Sequence, residues 1–184
     1  MSYSLTRMAL TALVCFGLLL PYVSGIASDP LAFQRGEKAA VLVFVARDCP
    51  VANALLPDVM KLQKEFEGQG VTFTLVHVDP DTTEKQAAAH AEAYHVTCRV
   101  VLDLRHILVK KLGATRTPEA FVMTLDGKVA YHGRINDLYY APGQRRRNPL
   151  HEDLREALSA VVAGRQPPVP VAPSIGCAIE DFTR

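Results

Sequence analysis

Residues 41–46, VLVFVA, form an unbroken apolar, valine-rich run that stops abruptly at Arg47 and Asp48. A run this short and this uniformly apolar reads as a strand buried on both faces. Such a strand needs helices above and below it, and the rest of the chain supplies them in alternation. After Cys49-Pro50, the residues Val51, Leu55, Val59, Leu62 and Phe66 recur at helical spacing, with Gly68 as the stop. Strands over 71–78 and 96–102 bracket an Ala-rich helix that Asp81 and Glu84 open and that runs to about Tyr94. A short helix follows over 105–112. Thr117-Pro118 then opens a strand over 119–124, and Asp126-Gly127 turns it back into 128–132 as a hairpin. A long loop carries Tyr139, Tyr140, Pro142, Gly143 and the basic run 145–147. Asn148-Pro149 starts a last helix with Leu150, Leu154, Leu158 and Val161 on one face and Gly164 at its end. The order β-α-β-α-β-α-β-β-α predicts an α/β fold. Its sheet is parallel with helices on both faces, and the hairpin adds an antiparallel edge.

A chain of 184 residues, 49% hydrophobic, is enough for one domain with a full core. We place that domain at residues 28–165. Before it, residues 1–27 read as a signal peptide: Arg7 is the positive charge, 8–20 the apolar stretch, Pro21 the helix breaker, and small residues follow. An uncleaved N-terminal anchor is the competing reading, and its apolar run is shorter than the ~20 residues that span a bilayer. This segment is the one route to a membrane tether. After it, residues 166–184 form a Pro-rich arm, stiff because proline fixes φ, that carries Cys177 in the apolar patch 175–179. Apart from Arg7, basic and acidic side chains balance, which leaves no electrostatic footprint for nucleic acid. The chain has four cysteines. Cys15 lies inside the apolar run, so an exported mature chain keeps Cys49, Cys98 and Cys177, and at most one intramolecular pair.

Four local features, taken together, resemble the thioredoxin-like fold in the form used by redoxins, the relatives of alkyl hydroperoxide reductase and thiol-specific antioxidant. They are the buried strand running into Ala46-Arg47-Asp48-Cys49, Pro57 eight residues after that cysteine, the stretch 96–103, and Thr117-Pro118-Glu119. The resemblance covers about residues 39–164. It implies a three-layer sandwich with a central mixed sheet and helices on both faces, and a cis-proline at Pro118 facing the active cysteine. The Asp48-Cys49-Pro50 motif, the Tyr…Gly…Arg-Arg loop and the late Gly176-Cys177 tail are similar to a narrower bacterial set of redoxin-domain proteins.

A cysteine at a strand-to-helix junction meets outward-pointing amide N–H groups, which favour the nucleophilic thiolate. Cys49 is therefore the expected nucleophile, acting on a protein disulfide or a small peroxide. The resemblance places Asp48, Pro50, Thr117 and Pro118 around the substrate groove, where the backbone before a cis-proline pairs with an extended peptide. The chain departs from two relatives. A dithiol oxidoreductase has a second cysteine where Ala52 stands, and peroxiredoxins have a hydroxyl where Ala46 stands and a proline where Leu42 stands. A peroxide-binding cation would have to come from Arg47, Arg99 or Arg116. The thiol that resolves Cys49 is Cys177 or Cys98, which opens the third strand at an end of the sheet expected near the active edge, with Cys177 slightly favoured. An external thiol or thioredoxin-type protein would return the electrons. No nucleotide-binding motif is present, so no cofactor is expected. Metal handling is disfavoured because Asn53 occupies the second-cysteine position of copper carriers and the six histidines lack ligand spacing. The alternative from another class is a non-catalytic binding module that keeps the groove and uses Cys49 in a staple.

Overall fold

The computed structural model describes residues 36–180, so the N-terminal signal or anchor segment lies outside the described residues. The first strand, β1 (Ala39–Val45), is buried along its whole length. Pro50 starts the helix α1 (Pro50–Phe66), where a missing N–H costs nothing in the first turn. Pro57 lies inside α1 and withdraws the N–H that would bond to the Asn53 carbonyl. A 3-10 turn over 67–69 follows, and Gly70 rather than Gly68 ends it. Then come β2 (Val71–His77) and α2 (Glu84–Ala93). The cap of α2 is Thr83, not Asp81. Its hydroxyl accepts from the Gln86 N–H while the Gln86 side chain accepts from the Thr83 N–H.

The third strand, β3 (Arg99–Leu102), begins later than its apolar run suggests. The helix α3 (Ile107–Leu112) is held at its start by Asp103, whose carboxylate accepts from the Ile107 and Val109 N–H groups at 2.7 and 2.9 Å. Next are β4 (Arg116–Thr117), β5 (Glu119–Thr124) and β6 (Val129–Gly133), with a cis peptide between Thr117 and Pro118. The loop expected after β6 is instead a small hairpin of β7 (Tyr139–Ala141) and β8 (Gln144–Arg145). Its arginines lie over its tyrosines, Arg146 at 4.5 Å from the Tyr140 ring. The last helix, α4 (Asp153–Val162), starts after Leu150, which is 71% exposed and no part of the buried face. Two short strands end the described chain, β9 (Val171–Ala172) and β10 (Cys177–Ala178).

Six strands form a mixed sheet in the order β3-β2-β1-β5-β6-β9. The pairs β1–β2, β2–β3 and β6–β9 are parallel; β1–β5 and β5–β6 are antiparallel. Because strand side chains alternate, Val41, Val43 and Val45 face α1 and α4, with Leu55, Leu56, Val59, Leu154 and Leu158. Leu42 and Phe44 face the other way, onto Leu108 and Val109 of α3. Each of these side chains contributes roughly 1.5–3 kcal/mol when fully buried. This is the thioredoxin-like three-layer arrangement. Since β1 and β2 are parallel, the loops after both open at the same sheet edge, and Cys49 stands there.

Candidate active site

Cys49 is the N-cap of α1, with an extended backbone, so its sulfur accepts from the Ala52 N–H at 3.4 Å. As a thiol it donates to the Thr117 carbonyl at 3.0 Å, the residue before cis-Pro118. The sulfur is nearly enclosed, 1% exposed. Burial would raise its pKa, but the neighbouring Cys177 thiol, the Thr117 side chain and the Ala52 N–H together outweigh burial. They hold Cys49 below its ordinary value. The Thr117 hydroxyl is buried without a hydrogen-bond partner.

Cys177 reaches this site because the arm folds back across the domain. Strand β9 joins the edge of the main sheet beside β6, and β10 pairs antiparallel with β4, Cys177 opposite Thr117 and Ala178 opposite Arg116. The Ile179 N–H extends the ladder to the Thr115 carbonyl at 2.9 Å. Burial, then the hydrogen bond and charge of Cys49, push the Cys177 thiol up to about 11. The two sulfurs thus divide their roles, Cys49 favouring the anion and Cys177 the proton. Both are free thiols.

Cys98 stands apart. It precedes β3, while Cys49 follows β1, and parallel strands put those positions at opposite ends of the sheet. Its surroundings are Glu37, Gln63, Thr72 and Arg99, and burial lifts its thiol to about 11. The expectation that Cys98 lies near the active edge fails on strand direction alone.

Beside Cys49 is a cavity of about 240 Å³ walled by Asp48, Val78, Asp79, His106, Thr117 and the arm residues 177–180. No arginine or lysine lines it. Arg47 turns away: its N–H donates to the Asp79 carboxylate at 2.8 Å and its guanidinium to Thr82 at 3.2 Å. Arg116 donates to the Gly176 carbonyl, and Arg99 lies at the far end with Cys98. None of the three expected cations addresses the sulfur. Asp48 stands at the cavity mouth with its side chain in solvent, and Pro50 starts the helix without lining the cavity. Asp79 and His106 were not among the expected site residues, and Ile179 was read only as part of the arm's apolar patch. Asp79-Pro80 was findable, because a loop signal after β2 must open beside the loop after a parallel β1. Among the described residues, no three histidine, cysteine or carboxylate side chains converge where a metal ion could sit.

Behind the cysteine, Asn53 donates to the Arg47 carbonyl at 2.7 Å and bonds His90 at 2.9 Å. His90 lies edge-on to His77, their ring centroids 5.0 Å apart. His77 is fully buried with neither ring nitrogen hydrogen-bonded, and burial, then the charges of His90 and Arg47, lower its pKa to about 4.

Comparison with known proteins agrees with this fold. An uncharacterised conserved protein from Geobacillus kaustophilus superposes with a TM-score of 0.70 at 25% identity, covering 80% of this chain and 79% of that one. A hypothetical protein from Sinorhizobium meliloti 1021 gives 0.69 at 25% identity, covering 80% and 82%. A putative thiol:disulfide interchange protein, DsbE, from Chlorobium tepidum gives 0.51 at 16% identity, covering 69% and 79%, and shares the fold. No curated protein sequence matches the chain. The Redoxin family model matches residues 24–138, more than half of the sequence, and the protein belongs to the Redoxin family.

Proposed function

We propose that this protein is a thiol-disulfide oxidoreductase working outside the cytoplasm, with Cys49 as nucleophile and Cys177 as the resolving thiol. The observation that carries the reading is the register of β10, which seats Cys177 opposite Thr117, the residue whose carbonyl holds the Cys49 sulfur. The Cys49 thiolate attacks one sulfur of a disulfide RSSR, forming a Cys49–SR mixed disulfide and expelling RS⁻, which takes up a proton. Cys177 then gives up its proton and attacks the Cys49 sulfur, releasing the second RS⁻. Two thiols of the protein are oxidised to one disulfide, and RSSR is reduced to two RSH. The timing is built in. Burial keeps Cys177 protonated and the Cys49 anion adds to that push, and once Cys49 is tied up as a mixed disulfide the anion's share is gone. An external thiol or thioredoxin-type protein resets the pair.

Disulfides fit better than peroxides, because Ala46 supplies no hydroxyl and no arginine faces the sulfur. Export rests on the N-terminal signal reading of the sequence. The test is a non-reducing peptide map of the full chain before and after mild reductant. A Cys49–Cys177 link that opens and reforms is expected. A stable Cys98–Cys177 link, or a Cys49 that no oxidant changes, would overturn the assignment.

A further inference from the structure

An extended peptide approaching Cys49 would pair with the backbone before Pro118, but that edge is already taken by the chain's own arm. Three successive arm residues, Cys177, Ala178 and Ile179, pair with Thr117, Arg116 and Thr115. Their side chains alternate as in any added strand: Cys177 and Ile179 turn inward and Ala178 is exposed. Ile179 packs against the core formed by Leu108, Val109 and Phe121. Arg116 clamps the Gly176 carbonyl at 3.2 Å. Gly176 itself lies so flat on the ledge that a Cβ there would stand 2.0 Å from the Thr117 carbonyl oxygen. What the arm leaves open is the cavity of about 240 Å³, which admits a small molecule but no polypeptide strand.

We propose that the folded arm is a specificity element: Gly176 and Ile179 hold it on the ledge, so that Cys49 takes low-molecular-weight disulfides and excludes disulfides carried on protein chains. This rests on the reading of Cys49 as nucleophile and names its substrate class. The arm serves twice, as carrier of the resolving thiol and as the strand that fills the place of a peptide substrate.

The test reads the first covalent step alone, in the full chain with Cys177→Ser. Mixed-disulfide formation at Cys49 is followed by mass spectrometry with hydroxyethyl disulfide and with insulin, each rate divided by that of the same reagent with a free thiol. Hydroxyethyl disulfide is expected to react and insulin to lag. Adding Gly176→Val should raise the insulin-to-hydroxyethyl ratio about tenfold or more, the factor that ~1.4 kcal/mol of arm docking supplies. Ile179→Asp, which lifts the arm without crowding the ledge, should do the same if Gly176→Val fails to fold. An insulin ratio already near one before the arm is lifted, or unchanged after it, overturns the proposal. Should Cys49 react with neither disulfide, the oxidoreductase reading falls. The arm is then judged by alkylation: iodoacetamide should reach Cys49 and a polymer-linked maleimide should not until the arm is lifted.

Discussion

Replacing Cys177 by alanine removes the neighbour that most favours the Cys49 anion, and Thr117→Val removes the next. Both substitutions should raise the Cys49 pKa, Cys177→Ala by more, because burial of the sulfur then acts with less opposition. Thiolate absorbance followed against pH measures the order directly, and a Thr117→Val shift larger than the Cys177→Ala shift would contradict it. The alanine variant should also stop at the mixed disulfide, since among the described residues no second thiol then stands at that end of the sheet. The position of Cys49 was legible from its strand-to-helix junction, a local feature, and Thr117 and Pro118 were placed beside it by the resemblance to redoxins. Cys98 was misplaced for the opposite reason. Which end of a sheet a residue occupies depends on strand direction, and direction is not a local property.

At the scale of elements, the arm meets the domain at two points of close backbone approach, and a glycine stands at each. Gly176 meets Thr117, and Gly133 of β6 meets β9, where a Cβ would stand 1.9 Å from the Ala172 carbonyl oxygen. Gly133 also has φ of +145°, a backbone that side-chain-bearing residues rarely adopt. Gly133→Ala should therefore push β9 off the sheet edge and cost about 1–3 kcal/mol, the usual penalty for overpacking. Thermal unfolding measures the loss. Hydrogen exchange should quicken at the amides of His132 and Arg134, which donate to Pro170 and Ala172. Unchanged protection there would mean β9 adjusts in place. A second element shows the same dependence on a small group: Thr83→Ala removes the capping box of α2 and should cost about 1 kcal/mol. The alternation of strands and helices was readable from apolar periodicity, yet the ends were not. Thr83 was passed over for the more acidic Asp81, and the start of α4 was set at Asn148-Pro149, although Leu150 stays in solvent.

Across the whole molecule, the active edge and the acid stability share one support, the buried pair His77 and His90 beneath the first turn of α1. His77 ends β2 beside Val45, so the strand paired with the one that leads to Cys49 carries an imidazole with no hydrogen-bond partner. Its pKa in the folded protein is about 4, against about 6.5 in an unfolded chain. A base whose pKa is lowered by folding is bound to protons more strongly by the unfolded state. Stability is therefore full above about pH 6.5 and falls as the pH drops towards 4. The loss reaches on the order of 3 kcal/mol at the bottom of that window. His90, lowered as well by burial and Arg47, adds in the same direction. Asp137 behaves differently. Burial opposes its ionisation, but N–H donors from His151 and Leu150 and the Arg146 charge hold its carboxyl below the usual carboxylate range, so its contribution is lost only in stronger acid. Denaturant unfolding near pH 7 and near pH 5 should then differ by about 2 kcal/mol in the native chain, and by clearly less in His77→Leu. The same variant keeps the cysteine pair, so peptide mapping at neutral pH should still find the Cys49–Cys177 link. Equal pH dependence in the two chains would place the acid sensitivity in the carboxylates and remove the histidine pair from the support of the site.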